Sequence, residues 1–173
     1  MRKYNGSLYD IIHKTRGEVQ LSLELILPIV KALYKLSINN PQIYHRDIKP
    51  DNILFLSKND GYELYLTDFG TCFLNDGSER LTPEKTAVGA RMYLAPEYEI
   101  GKVEEINEKG DIFSIGKVIW FMINGDPDAL LPSNFWFLDE YNLQKKYSDK
   151  PEMVIANSII ASCLAISSEK RCD

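Results

Sequence analysis

The chain has 173 residues, of which 45% are hydrophobic and 26% charged, with a formal net charge of −5. That composition describes an ordinary globular chain with one core and excludes a disordered or fibrous one. The excess of acid, with no run of Lys or Arg, excludes a non-specific nucleic-acid binder or membrane-surface binder, because both of those partners repel negative charge.

The N-terminal "MRKYNGSLYDIIHK" lacks the uninterrupted apolar core and small-residue cleavage site of a secretory signal. Within it "SLYDIIHK" predicts a short helix. From Leu21 to Asn40 a long helix is predicted, with Leu25, Ile26, Ile29, Val30, Leu33 and Leu36 at helical spacing and Pro28 bending its first half. Next comes "IYHRDIKPDNILF", in which charged residues and an asparagine sit between apolar flanks. The β-rich runs on either side of Lys58-Asn59-Asp60-Gly61 predict a hairpin.

From Thr71 to Leu94 the sequence is polar and irregular, which predicts a long loop, and loops of that length in compact domains usually have a function or no fixed structure. Helical patterning resumes near Lys109. The apolar stretch "IFSIGKVIWFMI" is too short to span a bilayer and carries Ser114 and Lys117, so it reads as a buried helix. A last helix is predicted over "MVIANSIIASCLAIS". Cys72, Cys163 and Cys172 show neither CxxC spacing nor pairing arithmetic, which favours a reduced, cytoplasmic protein. No internal repeat or linker divides the chain, and the whole reads as mainly α with small β elements in its first half.

Taken alone, "HRDIKPDN" is compatible with a solvated loop joining a helix to a strand. The predicted hairpin gives it a second reading, because it returns Asp68 beside Asn52. An Asp and an Asn offer hard oxygen ligands to Mg²⁺, which takes few protein ligands and keeps water and phosphates. Asp47 is then left to orient or deprotonate a hydroxyl, and Lys49, two residues later on the same side of an extended loop, to neutralise a moving phosphoryl group. These are the parts that in-line phosphoryl transfer requires.

"HRDIKPDN", "DFG" at Asp68 to Gly70 and "APE" at Ala95 to Glu97 occur in the order of the signature set of eukaryotic-type protein kinases, and the chain resembles that family. "DIFSIG" from Asp111 is similar to the family's DxWSxG helix start, and Arg171 stands at the position of its late arginine. Lys49 following Asp47, and Tyr93 before "LAPE", resemble the serine/threonine branch. The resemblance implies an α+β, mainly helical C-terminal lobe over residues 1–173. Within it, residues 1–6 are a hinge remnant, 43–56 the catalytic loop and following strand, and 68–97 the activation segment.

By the same resemblance Asp47 is the catalytic base, Lys49 the phosphate-contacting lysine, and Asn52 and Asp68 the ligands of Mg²⁺ or Mn²⁺, with ATP as co-substrate. Leu8 and Leu54 lie under the adenine. His45 and Phe69 belong to a hydrophobic stack that Asp111 anchors, Glu97 and Arg171 form a buried ion pair, and Arg46 receives a phosphate carried by Thr86, with Thr82 and Ser78 as weaker sites. The one departure is Ala90, where the branch usually has a threonine bridging the catalytic aspartate and lysine, and it implies a less firmly held loop.

The sequence contains no GxGxxG, no VAIK-like segment and no GxxxxGK. The expectation is therefore a large lobe without its N-terminal partner, which would be supplied in cis or in trans, and which alone binds ATP weakly. It would act on a protein substrate, with self-association through the exposed inter-lobe surface and no nucleic acid or membrane as partner. A non-catalytic, kinase-like scaffold is the second reading, and a small-molecule phosphotransferase is the third.

Overall fold

The computed structural model describes residues 3–75, 91–100 and 106–172, with the side chains of 99 and 100 excepted. Near the N-terminus a short strand, β1 (Gly6–Ser7), leads directly into helix α1 (Leu8–Ile11), whose first turn closes when the Ser7 amide donates to Asp10 Oδ2 at 2.8 Å. Helix α2 (Val19–Ser37) follows. It buries Val19, Ser22, Leu25, Ile26 and Ile29, spaced along one face, and leaves Val30 exposed, so the predicted apolar face is narrower than the spacing suggested. Pro28 lies within the helix on its exposed side, and the helix runs through it.

Strand β2 (Gln42–Tyr44) enters the charged motif, and β3 (Ile53–Lys58) leaves it. The predicted hairpin forms between β3 and β4 (Gly61–Leu66), in register from Lys58↔Gly61 back to Ile53↔Leu66. Gly61 takes φ of +140° at the turn, a conformation that favours glycine. β1 adds to the other edge of β3 through Ser7↔Leu54, giving a three-stranded antiparallel sheet in the order β1-β3-β4. The stretch read as hinge remnant therefore also contributes a sheet strand. A fifth strand, β5 (Phe73–Asn75), pairs antiparallel with β2, so the long loop expected from Thr71 begins with ordered pairing.

After α3 (Pro96–Ile100) comes α4 (Glu108–Asn124), capped at its start by Asn107, whose side chain accepts from the Lys109 amide, and at its end by left-handed Gly125. Almost every side chain from Gly110 to Asn124 is buried, the pattern of a helix surrounded by its own protein. The core forms around it, with α2 on one flank and the C-terminal helix α6 (Met153–Cys163) on another, while α5 (Leu143–Lys146) closes the lower end. Among the described residues no helix is long and apolar enough to cross a membrane.

Lys117, like Asp111, is an ionisable side chain buried in that helix, with only 2% of its surface exposed. Its Nζ donates to the Leu131 carbonyl at 2.5 Å and stands 5.5 Å from the centroid of the Phe113 ring. Burial drags its pKa down to about 7. The unfolded side chain keeps its proton to about pH 10.5. Between those values the unfolded state binds more protons than the folded one, so stability rises with pH across that window. Relative to Lys117→Met, the wild-type chain should gain about 1–4 kcal/mol between pH 7 and 10. Urea unfolding midpoints at the two pH values measure this, and a constant difference would show that the folded side chain stays charged.

Candidate active site

The charged motif is held by a buried carboxylate on the far side of the chain. Asp111, in the first turn of α4, accepts hydrogen bonds from the backbone amides of His45 at 2.7 Å and Arg46 at 2.9 Å. Burial pushes the Asp111 carboxyl up to about 6, while the two amides pull in the opposite direction. For both amides to face one carboxylate, Arg46 adopts φ of +67°, a left-handed backbone unusual for a non-glycine residue.

His45 is fully buried and ties the motif to the hairpin. Its Nε2 lies 3.0 Å from the Thr67 carbonyl, and its Nδ1 faces the Asp47 amide at 3.4 Å. These two contacts assign the tautomer protonated on Nε2. Burial is the main cause that lowers the imidazole pKa, which favours this neutral form. Phe69 meets the ring edge-on at 4.9 Å between centroids yet remains 49% exposed, so the expected stack is in contact but open to solvent on one side.

Three of the sequence-predicted groups converge directly. Lys49 Nζ lies 2.9 and 2.7 Å from the two Asp47 carboxylate oxygens, and Asn52 Nδ2 donates to the Asp47 carbonyl and to Oδ2, both at 2.8 Å. The expectation of one shared face for Asp47 and Lys49 is met by a closed ion pair. The Asn52 carbonyl accepts from the Thr67 amide at 2.9 Å and from its hydroxyl at 3.1 Å, which sets Asp68 next to the residue paired across from Asn52. Asp68 turns the chain with φ of +59°, and its Oδ1 accepts from the Gly70 amide at 3.3 Å.

The Asp68 side chain is exposed, whereas Asn52 is buried with its amide nitrogen committed to Asp47, leaving Asn52 Oδ1 and the second Asp68 oxygen as acceptors. Among the described residues no group of three or more His, Cys, Asp and Glu is placed to hold a metal. The candidate cation ligands are accordingly an amide oxygen and a carboxylate, hard donors that suit Mg²⁺ with water and phosphate completing its shell.

Other predicted residues fall as follows. Leu54 is half-buried on β3, but Leu8 is fully buried in the core, where it has no surface to offer a ligand; it supports the sheet from below. Thr86, Thr82, Ser78 and Ala90 lie outside the described residues, as does the middle of the predicted activation segment. Arg46 places its guanidinium 5.8 Å from the Tyr98 ring centroid, and its Nε is buried without a hydrogen-bond partner among the described residues.

Sequence reasoning passed over three hydroxyl residues that fasten the site. Thr67 bonds Asn52, Thr71 Oγ1 donates to the His45 carbonyl at 3.3 Å, and Ser114 Oγ donates to the Tyr93 carbonyl at 2.8 Å. Thr67 and Thr71 flank "DFG" directly, and that adjacency was the available signal.

The segment after Tyr93 is anchored by the Glu97–Arg171 pair. Arg171 Nη1 bonds Glu97 Oε1, and Nη2 reaches Oε2 at 2.9 Å, a two-pronged geometry. The remaining donors are also used, by the carbonyls of Ala165, Lys109 and Ile166. The Arg171 side chain has no exposed surface and its guanidinium lies 4.9 Å from the Phe113 ring centroid.

Residues 3–172 match the family model described as the protein kinase domain. The chain is 36% identical over 167 residues to the serine/threonine-protein kinase shk2 of Schizosaccharomyces pombe, covering 93% of this chain and 26% of that protein. It is 31% identical over 172 residues to the serine/threonine-protein kinase max-2 of Caenorhabditis elegans, covering 97% and 25%. With the serine/threonine-protein kinase CTR1 of Arabidopsis thaliana it shares 34% identity over 119 residues, 66% of this chain and 14% of that protein. The chain thus spans about a quarter or less of these curated relatives.

Removing one member of a buried ion pair leaves the other charge uncompensated. Arg171→Met should cost about 3–5 kcal/mol of folding free energy, and the double variant Glu97→Leu/Arg171→Met should recover part of that loss. Guanidinium unfolding of the four proteins in the cycle measures the coupling, and additive losses would mean the pair contributes nothing as a pair.

Proposed function

The chain belongs to the protein kinase family, and from that premise we propose that it carries the catalytic loop of a serine/threonine protein kinase, which transfers the γ-phosphoryl group of ATP to a protein hydroxyl. The observation that supports this most is the convergence of Lys49 and Asn52 on Asp47. Of the two carboxylate oxygens, Oδ2 receives both Lys49 and Asn52, whereas Oδ1 receives Lys49 alone. Oδ1 is therefore the oxygen that takes the proton of an incoming hydroxyl, and Asn52 fixes the carboxylate through Oδ2.

Lys49 swings one of its donors from Asp47 to the transferring phosphoryl group when substrate arrives, a step that frees the base and stabilises charge at once. Asn52 Oδ1 and Asp68 would hold Mg²⁺ or Mn²⁺, which would supply neutralisation of the phosphate oxygens. Leu54, half-buried on β3, lies under the adenine. The phosphates of ATP also need a glycine-rich strand pair and a strand lysine, which these 173 residues do not include. A small lobe in cis or in trans is the partner this reading requires.

Arg46 is the regulatory group in this reading. A cation whose buried Nε has no partner among the described residues, on a backbone pinned by Asp111, is suited to accept an oxyanion such as a phosphorylated Thr86.

In the full-length protein, Asp47→Asn should lower phosphate transfer to a serine- or threonine-containing substrate by about 100- to 10,000-fold while the melting temperature changes little. Transfer of radiolabelled phosphate from ATP is the measurement. Equal and negligible transfer by both forms, with an intact fold, would move the assignment to a non-catalytic partner-binding lobe.

A further inference from the structure

Two cysteines that are far from obvious partners in sequence meet at the C-terminal end of the core. The Sγ atoms of Cys163 and Cys172 are 3.6 Å apart. Cys163 ends α6 and is buried, with its Cβ packed where Gly116 of α4 has no side chain; a Cβ built on that glycine would come within 2.5 Å of it. Cys172 is half-exposed, and its backbone is fixed at both ends, its amide donating to the Ser162 carbonyl at 3.2 Å and its carbonyl accepting from Lys109 Nζ at 3.0 Å. The residue before it is Arg171, whose guanidinium holds Glu97.

We propose that Cys163 and Cys172 are a redox-active dithiol, which closes to an intramolecular disulfide in the presence of a peroxide and latches the Arg171 segment to α6. The backbone pairing between Ser162 and Cys172 provides the close approach that a disulfide needs. Reactivity is divided between the two thiols. Burial raises the Cys163 pKa to about 12, so Cys163 is not the group that meets the oxidant. Cys172 has access to solvent, and its thiolate attacks one peroxide oxygen, breaking the O–O bond to give a sulfenic acid and, after protonation, water. Cys163 sulfur then attacks the Cys172 sulfur, the S–S bond forms, the S–O bond breaks and a second water leaves with the Cys163 proton. The two sulfurs together give up two electrons, both accepted by the peroxide.

The latch acts on the ion pair because only one peptide bond separates Cys172 from Arg171. Once Cys172 is tied to α6, the backbone that delivers Arg171 to Glu97 is held covalently as well as by its hydrogen bonds. Cys72 is the internal control. It is half-buried near Asp111 and Asp68, burial raises its pKa to about 11, and the structure places no second sulfur beside it.

The test treats the full chain with hydrogen peroxide, alkylates it, digests it without reductant and maps the cysteines by mass spectrometry. The expected product has a Cys163–Cys172 link, a mass lower by two hydrogens, alkylated Cys72, a melting temperature higher by about 5–10 °C, and full reversal by dithiothreitol. Cys172→Ser, chosen because Cys163 is packed against Gly116, should fold normally, form no link and show no thermal shift. The proposal is overturned by recovery of both thiols alkylated after peroxide, by links to Cys72 or between chains, by Cys172 driven on to sulfinic acid with Cys163 free, or by a link that leaves the melting temperature unchanged.

Discussion

The acceptance of two consecutive backbone amides by one buried carboxylate is the constraint on which the rest of the structure depends. Asp111 belongs to the central helix, and the amides of His45 and Arg46 belong to the loop that carries Asp47. A carboxylate out of water needs donors, and a loop turning through left-handed Arg46 needs acceptors for the amides it exposes. Each satisfies the other. The consequence is positional: the loop that carries Asp47 is registered against the buried central helix, and Asp47 has a defined place before any ligand arrives.

The same logic extends outward through His45. Its ring passes the registration to Thr67, directly after β4, and Thr67 passes it to Asn52 by two hydrogen bonds to one carbonyl. Asn52 returns it to Asp47 through Nδ2. A closed circuit of four residues, His45, Thr67, Asn52 and Asp47, the last donating its amide to His45 Nδ1, therefore fixes the relation between the loop before β3 and the turn after β4. Such circuits resist small displacements because no member can move without leaving a buried polar group unpaired.

Much of this was legible in the sequence, and the parts that were share a property. The hairpin at Lys58–Gly61, the helix around Leu25 and Ile29, and the apolar helix containing Val118 to Ile123 are written in local spacing and turn chemistry. The motif "HRDIKPDN" likewise named Asp47, Lys49 and Asn52, which the structure brings into direct contact, while Asp68 of "DFG" follows Thr67, the residue bonded to Asn52. What escaped the reading is set by long-range contact. β1 and β5 are two and three residues long and carry no periodicity to detect. The burial of Leu8, the outward turn of Val30 and the meeting of Cys163 with Cys172 depend on neighbours that sequence spacing does not name. Even the catalytic-type pair was read only in part, since lying on one face does not specify that Lys49 closes onto both oxygens of Asp47.

Lys117, Asp111 and Arg171 are buried ionisable groups in or against the central helix, and their different surroundings explain why only some suit a switch. Lys117 has a carbonyl and a ring face for company, so burial acts on it nearly unopposed and its charge is marginal near neutrality. Asp111 has two amides, which oppose burial without cancelling it. Arg171 has a carboxylate and three carbonyls, enough acceptors to occupy its whole guanidinium fork. A fully satisfied arginine has no second arrangement of comparable energy, so it serves as a fixed post rather than a moving part. Any control exerted at this end of the molecule must therefore act on the backbone that delivers the arginine, and the residue next to it in the chain is a cysteine.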